Sequence, residues 1–441
     1  MEKKKNILGK LKDLIEEWYD QEKDKVIIPG QRKIRIGGPV FDSNETFRVL
    51  KSLLSGIITQ GSEVRSFEKN FAKYCEAKYG ISVNSGSSAN LIALTVFSNK
   101  MFGERRITFE DEVIVPASTF PTTASPIIQI NAIPVFVDVD LETFNIIPEE
   151  IEKNLTDKTK AIMLVHYFGH PVDMNPIMEI AEKHNLFVIE DACEAHGAKY
   201  KGKKVGGLAD MGTFSFYVAH HMTTSEGGMI VTNNFEISNL CRSLKAFGRA
   251  CVCDICKMIQ DPTYVCPLRV KSEDPILKRY DIRYIFQNLG YSVKMMELEA
   301  AFGNEQLKKL DEFIKIRRRN AKILNKMLNS YSHLLKSQIK QKWAYHSYYS
   351  YPFLITEEAK FNRNEIVNYL ENKNIETRPI FGGNLPDQPA FRDQKIKVGN
   401  VPNAIKIRDN GFFVGCYPGI TKKEMEYVGN TIIEFLESHR K

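Results

Sequence analysis

Four short segments of this 441-residue chain hold the residue types that could do chemistry together. Asn84-Ser85-Gly86-Ser87-Ser88-Ala89-Asn90 lies between a strand-like run and a helical one. There glycine permits close backbone approach, the hydroxyls donate, and a helix N-terminus favours an anion. Any strand-to-helix turn can carry Gly and Ser for geometry alone, so this segment by itself says little. Phe120 ends Pro116-Ala117-Ser118-Thr119-Phe120, where a strand's C-terminal end opens; it can stack on a ring or pack in a core. Asp191 ends Leu186-Phe187-Val188-Ile189-Glu190-Asp191. An ionised Asp there can keep a heterocyclic nitrogen protonated, which makes a pyridine ring an electron sink. His196, five residues on, reads equally as a core histidine or as a support for the site. The fourth segment, Phe214 to Gly228, runs from a strand through hydroxyls and basic residues to Gly-Gly, an order hard to reach by accident. Together the four fit a phosphorylated aromatic cofactor.

Thiols form a second constellation. Cys75, Cys193, Cys241 and Cys416 are scattered, whereas Cys251, Cys253, Cys256 and Cys266 fall within sixteen residues. In a reducing compartment such clustering reads as metal ligation. Structural zinc is one option, although Cys-x-Cys is short for ordinary zinc spacing. The compartment is expected to be the cytoplasm. The start MEKKKNILGKLKDLIEEWYD has no apolar segment of signal-peptide length, and no run approaches the ~18 apolar residues of a membrane span. The net charge of +7 comes from 61 basic and 54 acidic residues interleaved along the chain, not gathered into the basic stripe of a nucleic-acid binder.

The elements that must position these residues alternate between short apolar strands and helices. Gly80 to Asn84, Glu112-Val113-Ile114-Val115-Pro116, Ile133 to Val139, Lys160 to His166 and Leu186 to Asp191 read as strands. This alternation predicts an α/β fold with a mainly parallel sheet covered on both faces. Leu8, Leu11, Ile15 and Trp18 predict an amphipathic N-terminal helix that docks through that face. Three parts are expected: a helix and arm over 1–40, a large domain over 41–295, and a connecting helix with a smaller α+β domain over 296–441. A Cys-rich insertion at about 248–281 breaks the periodicity and needs something other than a core to order it. Arg317, Arg318 and Arg319 on the connecting helix read as a solvated face.

In this order and spacing, the four segments resemble the DegT/DnrJ/EryC1/StrS sugar aminotransferase family of pyridoxal-phosphate enzymes, over about Gly37 to Tyr427. The resemblance implies an aspartate aminotransferase-type fold (fold type I). It implies that Gly86, Ser87 and Ser215 hold the phosphate, that Phe120 stacks on the ring and that Asp191 meets the pyridine nitrogen. Glu194, where most relatives have Gln, falls near the phenolic oxygen. The decisive departure is His220. The family motif FSFY-x-x-Lys-x-x-Thr-Thr places there the lysine that tethers the cofactor, and an imidazole cannot form that covalent link. A histidine can still move a proton, with an ordinary pKa of about 6.5. The implied cofactor is free pyridoxamine phosphate, whose amine condenses with a keto-sugar. With His220 taking the C4′ proton, the outcome is dehydration in place of transamination.

Two groups of relatives carry this histidine: cluster-free GDP-sugar dehydratases of colitose synthesis, and 3-dehydrases of dideoxysugar pathways with a 2Fe–2S centre on Cys-x57-Cys-x-Cys-x7-Cys. Cys193-x57-Cys251-x-Cys253 matches the first three ligands. Asp261 stands at the fourth position, leaving Cys266, after twelve residues, or Cys256, after two. Cys266 is preferred because it precedes Asn288-Leu289-Gly290-Tyr291, where the family pattern resumes. The resemblance to the second group implies a homodimer acting on a nucleotide-linked 4-keto-6-deoxy sugar, with electrons from a flavin- or ferredoxin-type reductase. By the match of Thr377-Arg378-Pro379, Arg378 contacts the substrate. Ser292 replaces an Asn that usually reaches the neighbouring subunit's phosphate. The alternatives are a cluster-free dehydratase, an aminotransferase-like protein and a non-enzymatic scaffold.

Overall fold

Runs such as Val113-Ile114-Val115 and Val135-Phe136-Val137 are too short for helices, rich in β-branched residues and buried on both faces, which suits central strands. The protein, a computed structural model, is described here over residues 2–21, 28–253, 257–261, 263–272 and 274–439. Eight strands form the main sheet, in the order Tyr79–Val83, Gly228–Thr232, Met211–Ser215, Phe187–Asp191, Thr159–Val165, Glu112–Pro116, Ile133–Val137 and Lys397–Val398. All neighbours are parallel except Gly228–Thr232, which runs antiparallel to both of its partners. The C-terminal ends of the parallel strands therefore share one edge of the sheet, the edge where open α/β sheets bind ligands.

The register aligns that edge closely. Val83, Gly228 and Ser215 lie abreast, as do Val165, Asp191 and Thr213. The strand carrying Asp191 is pinned by its neighbour Glu190, a fully buried carboxylate. Glu190 accepts from the Gly206, Leu208 and Ala209 N–H groups at 2.7, 2.7 and 2.8 Å and pairs with His166 Nε2 at 3.0 Å.

A second, antiparallel sheet contains Leu335–Lys336, Tyr351–Ile355, Gly411–Val414 and Thr377–Pro379. The helices Arg363–Asn372 and Lys422–Ser438 accompany it, each opened by a capping box. The 32-residue helix Glu297–Leu328 joins the two layers. Ala300, Leu310 and Ile314 bury into the first core, and Ala321, Leu324 and Leu328 into the second.

Two expectations are corrected. On the N-terminal helix Glu2–Asp20, Leu8, Leu11 and Ile15 are half-buried as expected, but Trp18 is exposed and Tyr19 docks in its stead, its hydroxyl 2.8 Å from Thr46 Oγ1 and its ring against Phe41. Arg317 is not on a solvated face: it is fully buried. Successive residues on a helix point about 100° apart, so three consecutive arginines cannot share one face. In the Cys-rich stretch, no described residue between Leu244 and Ile285 belongs to the buried hydrophobic core, and among the described residues regular structure there is limited to the helical turns Lys257–Gln260 and Ile282–Tyr284.

Candidate active site

At one end of the strand edge, the helix Gly86–Phe97 starts with Ser85 as its N-cap, whose Oγ accepts from Ser88 N–H at 3.1 Å. The first-turn N–H groups of such a helix have no intrahelical partner and favour an anion. A Cβ on Gly86 would lie 2.5 Å from Ser215 Cβ, so glycine is what lets Ser215 sit against the helix start. Ser87 is exposed beside them. The three residues expected to hold a phosphate thus come together.

Asp191 is buried, and its partners are neutral. Oδ2 accepts from Asn90 Nδ2 at 2.9 Å and Thr123 Oγ1 at 2.8 Å; Oδ1 accepts from Cys193 N–H at 3.1 Å. Thr213 Oγ1 donates to Asn90 Oδ1 at 2.6 Å and fixes the amide's orientation. Among the described residues no lysine, arginine or histidine forms an ion pair with Asp191. With neutral donors alone around it, this anchored carboxylate favours a cationic partner. A protonated pyridine nitrogen has that chemistry, so the donor set fits the expected cofactor. Phe120 caps the next helix; its ring is 47% exposed and meets Phe381 edge-on at 5.9 Å, which leaves a face to stack on.

Glu194 accepts from Phe168 N–H at 2.7 Å. Burial raises its pKa to about 8, against the lowering effect of that hydrogen bond and with a further push from Asp191. At neutral pH it is chiefly a neutral acid and can donate, as the Gln of relatives does.

His220 lies in the turn after strand Met211–Ser215, its N–H donating to the Tyr217 carbonyl at 2.9 Å. The residue is half-buried, its Nδ1 is sealed from solvent, and the Cys193 carbonyl is a backbone acceptor for its ring. Its ring packs 5.2 Å from that of Tyr349. Burial, aided by the nearby Arg317 guanidinium, holds its pKa well below the ordinary histidine value. A neutral imidazole is the state a base needs. Arg317 donates to the Tyr349 carbonyl at 2.6 Å and the His220 carbonyl at 3.0 Å. His196 packs on Phe71, Phe214 and the His221 ring, with both ring nitrogens buried and unpartnered. Phe168, Ser225, Tyr348 and Phe381 around this region all have positive φ, and such strain gathers at functional sites.

The thiols divide. Cys251, Cys253 and Cys266 border one cavity of 160 Å³ with Lys257, Tyr264 and Arg283. Cys193 is not on that cavity: it follows Asp191 in the other site, and burial raises its pKa well above the ordinary thiol value. Cys256 lies outside the described residues. Among the described residues no group of three or more His, Cys, Asp or Glu side chains is placed to hold a metal ion. The expected ligand set Cys193, Cys251, Cys253 and Cys266 is therefore not assembled here. Three of its members ride on a stretch without a core, while the fourth sits on the main sheet. Arg378 is exposed and paired with Glu376 at 2.5 Å.

The sequence pattern of the DegT/DnrJ/EryC1/StrS aminotransferase family matches residues 39–433. The chain belongs to that family. One similar protein is the dTDP-4-dehydro-2,6-dideoxy-D-glucose 3-dehydratase of Saccharopolyspora spinosa, 36% identical with 98% of this chain and 92% of that protein aligned. Another is the lipopolysaccharide biosynthesis protein RfbH of Salmonella typhimurium, 35% identical with 98% of each chain covered. Among solved structures, E. coli GDP-4-keto-6-deoxy-D-mannose-3-dehydratase with bound hydrated PLP is 32% identical, with a TM-score of 0.80 over 91% of this chain and 99% of that one. The aspartate aminotransferase-type α/β fold follows. Within this DegT/DnrJ/EryC1/StrS chain, Asn90 lies in the first of the four segments but its role as a clamp on Asp191 was not read, and Thr123, the other clamp, and Arg317 were missed. A lone hydroxyl on a helix carries no motif. The only sequence signal for Arg317 is its place among the apolar positions Phe313, Ile314 and Ala321. No described helix is long and apolar enough to cross a membrane.

Proposed function

We propose that this chain is a pyridoxamine-phosphate-dependent 3-dehydratase of a nucleotide-linked 4-keto-6-deoxy sugar. The observation that carries the reading is His220 in the position of the family's lysine, in a cradle that is otherwise complete. Pyridoxamine phosphate, when bound, supplies an amine that condenses with the sugar ketone and a ring that takes up electrons. Gly86, Ser87 and Ser215 bind its phosphate, Phe120 stacks on its ring, and Asp191 keeps the ring nitrogen protonated. Glu194 donates to the phenolic oxygen. His220, neutral, would take the C4′ proton and pass it to the departing hydroxyl at sugar C3, which would leave as water. Arg378 serves as a substrate contact in this reading once its bond to Glu376 is exchanged. The similar proteins above bear 3-dehydratase names, which supports the same conclusion. Leu289, 96% exposed beside Ser292, is an apolar residue that a second copy would cover, in keeping with a homodimer.

The test is direct. Loaded protein given such a sugar should yield a 3-deoxy keto-sugar lighter by one oxygen atom, with the bound amine cofactor converted to its aldehyde and ammonia released; transfer of an amino group from glutamate to the sugar overturns the reading. A second reading, reductive C3 deoxygenation with a 2Fe–2S centre and a reductase, is favoured by one observation: the three thiols that border a single cavity. Iron and acid-labile sulfide in the purified protein, with product formation dependent on added reductase, would select it over the cluster-free enzyme.

A further inference from the structure

Tyr349 is 8% exposed and carries a hydroxyl that the rest of the protein does not use. Buried tyrosines usually find a hydrogen-bond partner for that group. Among the described residues none bonds to the Tyr349 hydroxyl, and it is not one of the sealed polar atoms, so its oxygen faces open space. A phenylalanine would pack as well, without the cost of stripping water from a polar group. The backbone holds the ring from both sides. Tyr349 N–H donates to the Phe168 carbonyl at 2.8 Å, and the Tyr349 carbonyl accepts from Arg317 at 2.6 Å. Phe168 and Tyr348 both take a φ of 54°, a left-handed conformation that is strained for a bulky residue and gathers at functional sites.

The neighbours identify the open space. The ring centroid lies 5.2 Å from that of His220 and 5.9 Å from that of Phe381, which in turn meets Phe120. Burial, with pushes from Glu194 and Tyr217 against the pull of Arg317, raises the pKa of the phenol far above its ordinary value. It keeps its proton at any working pH and serves as a donor, never as the base. The hydroxyl thus opens among the groups assigned to the cofactor ring, its phenolic oxygen and the C4′ proton.

We infer that Tyr349 is a further catalytic residue, whose hydroxyl donates a hydrogen bond to the C3 oxygen of the sugar and keeps that bond as the oxygen departs. This rests on the reading of His220 as the base that takes the C4′ proton and hands it to the same oxygen. His220 must then come within hydrogen-bond distance of the C3 oxygen, and Tyr349 is the ring packed on His220 that has a donor free. The phenol retains its own hydrogen throughout; the proton that completes the water comes from C4′. A fixed donor aimed at developing negative charge acts most strongly in a site cleared of water.

Tyr349→Phe removes the hydroxyl and keeps the ring, so the packing survives, and two measurements then test the assignment. The first is binding of the nucleotide sugar, and of its 3-deoxy counterpart, to protein without cofactor by titration calorimetry. The variant should bind the 3-hydroxy sugar about fivefold more weakly and the 3-deoxy sugar within about twofold of wild type. Unchanged affinity for the 3-hydroxy sugar, or an equal loss for both sugars, overturns the inference. The second uses the loaded enzyme. Dehydration should fall about a hundredfold, while exchange of the C4′ proton into deuterated solvent stays within about threefold. A parallel fall of both rates would mean that Tyr349 acts on His220 and not on the sugar, and overturns the inference as well. The His220→Asn control separates the two claims. If that variant exchanges normally, the functional reading fails. If it is silent while Tyr349→Phe dehydrates at the wild-type rate, only the role of Tyr349 fails.

Discussion

The cofactor cradle and the Cys-rich stretch sit in one chain but are built on opposite terms. Asp191, Ser215 and the Gly86 turn lie at the ends of buried strands, and the partners of Asp191 come from two helices packed on the same sheet. Their positions are set by a core that must form in any case. The stretch between Leu244 and Ile285 contributes no described residue to that core and exposes Val265 and Ile276. Backbone bonds such as Phe247 N–H to the Tyr291 carbonyl and Ala250 N–H to the Ile285 carbonyl tie its ends down, and within it the ion pairs of Asp281 with Arg269 at 2.8 Å and with Arg283 at 2.6 Å are of a kind worth little when exposed. The difference teaches that the cradle is preorganised for its ligand, whereas the thiols' arrangement is left to whatever orders the stretch.

The strongest way to break this comparison is at the cradle. His220→Asn should lower C4′ proton exchange and dehydration by about a thousandfold, within the range expected for loss of a general base. Binding of pyridoxamine phosphate, measured by its absorbance, should stay within about threefold, because Asp191, Ser215 and Gly86 are untouched. A loss of binding as large as the loss of exchange would show that the histidine, not the strand edge, organises the site.

Legibility in the sequence follows the same division. Period and composition reveal the strands, because burial on both faces demands continuous apolar runs, and the strand ends follow from them. Gly86, Phe120, Asp191, Ser215 and His220 could be named because each occupies a motif at such an end. The link of Asn90 and of Thr123 to Asp191 could not be read, since it spans 101 and 68 residues of chain. Arg317 misled because charge counts do not show helix phase. The four-thiol expectation rested on spacing alone. Spacing can show that Cys251 and Cys253 are near each other, but not that a loop without a core lies against Cys193.

A smaller effect sharpens the cradle side. The folded pKa of Glu194, about 8, lies above the 4.5 of an ordinary glutamate. The group therefore keeps its proton in the folded state over a range in which the unfolded chain has lost it. Its stabilising contribution is complete below about pH 4.5 and is lost as the pH rises through about 8. Between pH 5 and pH 8 the melting temperature of the wild type should fall by roughly 2–4 °C more than that of Glu194→Gln. Equal slopes would place an ionised carboxylate at this position and remove its role as a donor to the phenolic oxygen.

The smallest expected effect probes whether the two regions are coupled at all. The groups assigned to C4′ proton removal lie on the strand edge, and none is a wall of the cavity bordered by Cys251, Cys253 and Cys266. Treatment with an iron and zinc chelator should therefore leave C4′ proton exchange within about twofold of the untreated rate, whatever metal the stretch carries. The same treatment should make residues 250–281 more susceptible to proteolysis if a metal orders them, since few buried contacts remain to resist opening. A tenfold fall in exchange would mean that the thiols act on the cradle, most directly through Cys193 beside Asp191. Proteolysis unchanged by the chelator would mean that the stretch owes its order to protein contacts alone.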